Sequence, residues 1–187
     1  MKVTDVKKVC VAGAGLMGRQ IALNAAIHGF DTYLTDSVAD VLTAVEKWSG
    51  EYLDGRVAKG KLTAEQAAGA KAHFHLCPAL KDAAEGAQIV IEAILEDKDV
   101  KANFYTEVNG IVDENTILAS NSSYMPSSTF KDCVSNPSRL ANMHYFNPAL
   151  AMKLVEVVRG EHTSEETAQF IYDFAIANGK TPIRVNK

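Results

Sequence analysis

The chain has 187 residues, 47% hydrophobic and 22% charged, enough to bury one core and unlike a collagen-like or disordered composition. Nineteen Lys and Arg against 23 Asp and Glu leave a net charge of −4, without the basic excess that marks a nucleic-acid binder. No run approaches the ~18 apolar residues of a membrane span, and the first apolar stretch, Val9 to Met17, is interrupted by Gly13 and Gly15, so it reads as neither signal peptide nor anchor.

Strand-like and helix-like segments alternate from end to end with no Pro/Ser/Gly-rich linker, which predicts an α/β fold around a mainly parallel sheet. Lys8 to Ala12 reads as a strand, Leu16 to His28 as a helix stopped by Gly29, and Asp31 to Thr35 as a second strand, together a βαβ unit. Ser37 with Asp40 has the form of a capping box and opens a long polar helix toward Ala58. Thr63 and Gln66 repeat the signal for a shorter helix, with Gly60 in the turn, so a helical hairpin is inserted after the second strand. Further strands are expected at His73–Leu76, Gln88–Ala93, Thr116–Ala119, Arg139–His144, Leu154–Val158 and Pro182–Val185. Helices are expected at Asp97–Val112 and Thr163–Asn178. The latter has Thr163 and Glu166 as a capping box, Ala168, Ile171, Phe174 and Ala175 on one face, and Gly179 as its stop. Cys10, Cys77 and Cys133 are an odd number at unrelated spacings; they outline no disulfide framework and point to a reducing cytoplasm.

Gly13, Gly15 and Gly18 fit G-x-G-x-x-G between the first strand and the first helix, the context in which this pattern binds a dinucleotide. Gly13 permits the tight turn, Gly15 lets the backbone approach a pyrophosphate, Gly18 allows close helix packing, and the helix N-terminus stabilises the phosphate charge. Asp36 ends the second strand 21 residues after Gly15. A carboxylate there accepts hydrogen bonds from ribose hydroxyls and repels a 2′-phosphate. No Lys or Arg follows before Lys47, so the pattern favours NAD over NADP. The alternative is the same turn in a doubly wound fold that binds no dinucleotide.

Ser120-Asn121-Ser122-Ser123 follows a strand, where open α/β sheets form their ligand crevice, although a serine cluster also serves as a plain loop or helix cap. His144 closes a strand, and Glu156 follows twelve residues later within Leu154-Val155-Glu156-Val157-Val158. A carboxylate in an apolar strand needs a partner if buried. His144 can be that partner: Glu156 on one ring nitrogen fixes the tautomer, favours the imidazolium and leaves the other nitrogen to take a proton. The competing reading is a core histidine and a solvent-facing glutamate on an edge strand. Arg56, Lys59, Lys61 and Lys71 cluster on the hairpin, as a solvated helix face or as a site for an anionic small molecule. His73, His75 and Cys77 alternate on a strand and could share a metal, but burial in a parallel sheet explains them better and no metal is expected.

Gly13-Ala14-Gly15-Leu16-Met17-Gly18, Ile91-Glu92-Ala93-Ile94-Leu95-Glu96, Ser120-Asn121-Ser122-Ser123, His144-Tyr145-Phe146-Asn147-Pro148 and Lys153-Leu154-Val155-Glu156-Val157-Val158 stand in this order. With these motifs the chain resembles the L-3-hydroxyacyl-CoA dehydrogenases over nearly its whole length. The resemblance implies a Rossmann-type doubly wound domain over residues 1–187, with NAD as cofactor and a 3-hydroxyacyl-CoA or 3-ketoacyl-CoA as substrate, the chemistry of fatty-acid β-oxidation. It implies His144 as general base, Glu156 as its orienting carboxylate and Ser123 as a partner of the substrate oxygen. Gly13, Gly15, Leu16, Met17, Gly18 and Asp36 match cofactor positions, Glu96 and Lys101 positions near the nicotinamide ribose. Asn147 matches a substrate position, and Lys59 a CoA-binding lysine, which favours the anionic-ligand reading of the basic cluster. Tyr145 and Tyr124 depart from the family pattern at the pocket edge.

Family members continue into a helical C-terminal domain that helps form the dimer and closes over the substrate. This chain is expected to lack that domain, to bind cofactor better than it turns over substrate, and to derive from a homo-oligomeric parent that binds neither nucleic acid nor membrane. Two other function classes fit the fold: a dinucleotide-binding module without catalysis, and a dehydrogenase of sugar-acid alcohols. His144, Glu156 and Ser123 together speak against the first, because a pure binder needs none of them, and the basic hairpin around Lys59 speaks against the second.

Overall fold

In the computed structural model, which describes residues 1–186, a 3-10 turn at Val3–Asp5 leads into strand β1, Val9–Ala12. Helix α1, Leu16–Ile27, returns the chain to β2, Thr32–Thr35. The hairpin follows as α2, Ala39–Ala58, and α3, Ala64–Ala72, with Gly60 at φ +63° in its turn. Then come β3 (Phe74–Leu76), a short α4 (Leu80–Ala84) that the sequence did not signal, β4 (Ile89–Glu92), α5 (Lys98–Asn109) and β5 (Ile117–Ser120). Two 3-10 segments, Ser127–Cys133 and Pro137–Arg139, precede β6 (Leu140–Tyr145) and β7 (Leu154–Arg159). The described chain closes with α6 (Glu165–Ala177) and β8 (Thr181–Asn186).

The strands form one sheet in the order β3-β2-β1-β4-β5-β6-β7-β8, parallel from β3 through β6. β7 runs antiparallel to β6, and β8 lies parallel to β7. The chain winds outward from β1 to β3, then crosses back to β4 on the other side of β1. This doubly wound topology puts its switch point between the C-terminal ends of β1 and β4, where such sheets hold their ligands.

Alternation along the strands divides the core. Val9 and Val11 of β1 and Ala141, Met143 and Tyr145 of β6 pack on α1, α2 and α6, with Ile171 and Phe174 buried among them as the helical spacing predicts. Cys10, Ala12 and Leu118 face α4 and α5, against Phe104, Tyr105 and Phe130. The hairpin is bound to α1 through Leu23, Leu53, Ala67 and Ala70. No helix among the described residues is long and apolar enough to cross a membrane.

Two expected caps form differently. Thr63 and Gln66 make the reciprocal bonds of a capping box on α3. Ser37 makes none on α2: the N-cap residue is Val38, whose N–H is taken by Asp36 Oδ1 at 2.9 Å. On α6 the cap is Ser164, which accepts from Thr167 N, while the Thr163 hydroxyl donates to Leu140 O at 2.7 Å. His73 and His75 also correct the expectation of burial within the sheet. β3 is an edge strand, and both imidazoles stand half-exposed beside Asp31, His75 Nε2 at 2.6 Å from Oδ1.

Candidate active site

The β1–α1 turn is shaped by two glycines and kept open by a third. Gly13 adopts φ +95°, and a Cβ there would stand 2.5 Å from Ala93 O. A Cβ on Gly18 would stand 1.7 Å from Gly13 O, so any side chain would force the helix off the turn. Gly15 has nothing within 4 Å of its Cβ direction. Packing therefore does not demand glycine at 15, whereas a phosphate group approaching the backbone would. Gly15 is also the N-cap of α1, so the first N–H groups of the helix are available to an anion. The turn thus fits the diphosphate of a dinucleotide.

Asp36 reinforces this turn from the end of β2. Its Oδ2 accepts from Ala14 N at 2.7 Å and its Oδ1 from Val38 N. The carboxylate is half-buried and lines a cleft of 870 Å³ with Gly13, Gly15, Ala93 and Ile94.

A second cleft, of 440 Å³, continues past Ala93 and Ile94 and is lined by Leu16, Met17, Glu96, Lys101, Ser123, His144 and Asn147. Leu16 is 53% exposed although it opens a helix in the core of the domain, so its side chain is free to meet a ligand. The serine segment divides its tasks. Ser120 belongs to β5 and donates to Glu92 at 2.7 Å, and Asn121 Oδ1 accepts from Tyr145 N at 2.9 Å, tying β5 to β6. Ser122 donates to Glu96. Ser123 is the member left exposed at the cleft.

His144 and Glu156 are directly paired across the antiparallel β6–β7 ladder. Their side chains lie on the same face, with Nδ1 3.0 Å from Oε2. A carboxylate only accepts, so Nδ1 carries a proton, and in the neutral imidazole Nε2 is left as the acceptor. β7 is interior to the sheet because β8 covers it, which removes the edge-strand reading of Glu156. Both residues and Ser123 border a pocket with Tyr124.

Tyr145 and Tyr124 both border the pocket region, and Lys59 lies on the hairpin. Tyr145 sits one position after His144, so strand alternation points it into the opposite core layer, where it is 3% exposed; burial raises its phenol pKa. Tyr145 nevertheless borders the His144 cleft, and Tyr124, 68% exposed, stands at the edge of the smaller pocket beside His144 and Glu156. Lys59 is the exposed C-cap of α2 and is not among the residues lining the His144 cleft. Lys71 of the same basic cluster is paired with Asp54 at 3.0 Å.

Sequence reasoning passed over Glu92. It is fully buried at the end of β4 and binds Lys101, which also reaches Glu96 at 3.0 Å. An acidic residue closing an otherwise apolar strand, nine positions before a lysine, was the available signal. Among the described residues, no group of three or more His, Cys, Asp or Glu is placed to hold a metal ion.

Residues 8–187 match the family model described as 3-hydroxyacyl-CoA dehydrogenase, NAD binding domain. The 3-hydroxybutyryl-CoA dehydrogenase of Escherichia coli K12 is similar at 35% identity and TM-score 0.94, over 97% of this chain and 38% of that one. The (S)-3-hydroxybutyryl-CoA dehydrogenase PaaH1 of Ralstonia eutropha is similar at 33% identity and TM-score 0.93, over 98% of this chain and 64% of that one. FadB2 of M. tuberculosis is similar at 32% identity and TM-score 0.91, over 97% and 64%. The chain therefore spans between 38% and 64% of the length of these relatives.

Proposed function

The chain belongs to the 3-hydroxyacyl-CoA dehydrogenase NAD-binding domain family, and from that premise we propose that it interconverts a 3-hydroxyacyl-CoA and a 3-ketoacyl-CoA with His144 as general base. The domain binds NAD. The Gly13–Gly18 turn would hold the diphosphate, Asp36 the adenosine ribose, and Glu96 and Lys101 the end nearer the chemistry. Bound NAD supplies the acceptor for the hydride that leaves C3.

The observation that carries this reading is the His144 Nδ1–Glu156 Oε2 contact of 3.0 Å at a cleft shared with Ser123. Loss of hydride from C3 makes the 3-hydroxyl strongly acidic, and a base within hydrogen-bond reach lowers the barrier. His144 Nε2 takes that proton. Glu156 keeps the ring in the tautomer that leaves Nε2 free and stabilises the imidazolium as it forms. Ser123 donates to the substrate oxygen and holds it toward Nε2, and Asn147 borders the same space. Lys59 takes an anionic group of CoA on the exposed hairpin, at a distance from the reacting carbon.

Single-turnover oxidation of NADH by acetoacetyl-CoA tests the proposal, because it detects chemistry even where steady-state turnover is low. Wild type is expected to consume NADH only when the thioester is present. His144→Gln should slow the step by ~10²- to 10⁴-fold, Glu156→Gln by less, and Lys59→Ala should weaken thioester binding with the step itself unchanged. A near-normal rate without His144 would remove it from the mechanism.

A further inference from the structure

Glu92 has no exposure and Lys101 is 1% exposed. A buried ion pair is costly unless its remaining donors and acceptors are satisfied, and here they are. Glu92 Oε1 accepts from Ile94 N at 3.0 Å and from Lys101 Nζ; Oε2 accepts from Ser120 Oγ at 2.7 Å and from Tyr105 Oη at 3.3 Å. Burial, then the charge of Glu92, push the Tyr105 phenol well above its ordinary pKa, so it remains a donor. Lys101 also meets Glu96, whose side chain is 37% exposed. Two carboxylates thus share one ammonium, and Glu96 and Lys101 form a wall of the cleft that holds Ser123 and His144.

The place of this surplus charge matters because of where the redox ring must lie. Asp36 and the glycine turn line one cleft, and His144 stands in the next. A base acts only within hydrogen-bond reach of the reacting atoms, so the nicotinamide end belongs in the second cleft, beside Glu96 and Lys101. The oxidised nicotinamide is a cation and the reduced one is neutral. A net negative charge at that wall therefore acts on one form and not on the other.

We propose that Glu92 is a positioning residue that sets the redox preference of the cofactor site. It anchors Lys101 from the protein side, holds it beside Glu96, and leaves one negative charge in excess that favours NAD+ over NADH. The inference rests on the proposed chemistry beside His144 but needs no particular substrate.

Calorimetric titration of NAD+ and NADH into wild type, Glu92→Gln and Glu92→Gln/Lys101→Met tests it. Glu92→Gln brings the cluster to neutrality and should shift the ratio of the two dissociation constants toward NADH by about tenfold, the effect of one unit charge at roughly 10 Å under an effective dielectric near 20. The double variant leaves Glu96 alone, again one negative charge. It should return the ratio to the wild-type value even though both forms bind more weakly. A purely structural role would weaken both forms alike, and an unchanged ratio in Glu92→Gln, or a ratio not restored in the double variant, overturns the proposal. Should Glu92→Gln not fold, Glu96→Gln removes the same charge from the exposed end and must shift the ratio the same way; no shift there is equally fatal. Shifted ratios without any thioester-dependent turnover would sink the substrate reading alone, and normal turnover with fixed ratios would sink this inference alone.

Discussion

At the scale of single residues, Asp36 combines two tasks that its sequence position announces only in part. Its two oxygens hold the N–H groups of Ala14 and Val38, and its charge faces the cleft proposed to receive the adenosine ribose. A 2′-phosphate placed there meets a like charge, worth a few kcal/mol at close range in a partly screened site. NADPH is therefore expected to bind at least ~10²-fold more weakly than NADH. Asp36→Ala should remove most of that discrimination and weaken NADH as well, because Ala14 N loses its acceptor; fluorescence titration reads both effects, and equal affinities in wild type would refute the assignment. Lys180 is a residue whose role no sequence pattern announced. Its ammonium is buried against Ala149 O and Met152 O, and desolvation, then Lys153, lower its pKa to about 8. An unfolded lysine titrates near ~10.4. Between those values the unfolded chain holds the proton and the folded chain has lost it, so stability rises with pH. In urea unfolding from pH 7.5 to 10.5, wild type should gain up to about 3 kcal/mol relative to Lys180→Met. A difference that stays flat across that window would contradict the burial argument.

At the scale of elements, the caps separate what a local pattern can promise from what a neighbour can take away. Thr63 and Gln66 satisfy each other within α3 and compete with nothing else. Ser37 has the same spacing to an acidic residue, but Asp36 is adjacent, already fixed by the glycine turn, and captures the Val38 N–H. Thr163 is likewise drawn away from α6 by Leu140 O, and Ser164 caps the helix instead. Thr63→Ala and Ser164→Ala should each cost about 1 kcal/mol, whereas Ser37→Ala should stay within about 0.5 kcal/mol of wild type. Chemical denaturation of the three variants decides the matter, and a loss at Ser37 equal to that at Thr63 would mean that the box forms in solution. The strands illustrate the same division. Their alternation is local and legible, but which face Tyr145 would meet became apparent only once β6 lay between its two layers.

At the scale of the whole molecule, the switch point between β1 and β4 brings the glycine turn and the Glu92 cluster together, and the β6–β7 pairing adds His144 and Glu156. The resulting cleft is open: Ser123 is exposed and Tyr124 is 68% exposed beside it. Water would reach the proposed chemistry, which benefits from its exclusion, and a loosely held substrate would spend little time in a reactive pose. Steady-state turnover by residues 1–187 is therefore expected to be ~10²-fold or more below that of a longer relative assayed side by side. Equal rates would show that whatever the relative has beyond the matched region is dispensable for catalysis.

Sequence alone determined the alternation of strands and helices, the glycine turn with Asp36, and the inserted hairpin, because each rests on interactions between residues close along the chain. Periodicity, caps and the conformational demand of Gly13 are local terms, and they survive folding wherever no distant group competes. Tertiary structure decided the rest. His144 and Glu156 are twelve residues apart in sequence, yet only the β6–β7 register makes them direct neighbours. Glu92 reads as one acid in an apolar run until α5 supplies Lys101 and Tyr105 and β5 supplies Ser120. A buried charge is tolerable only through partners gathered from several elements, and that gathering is a property of the packed sheet and helices, not of any one segment.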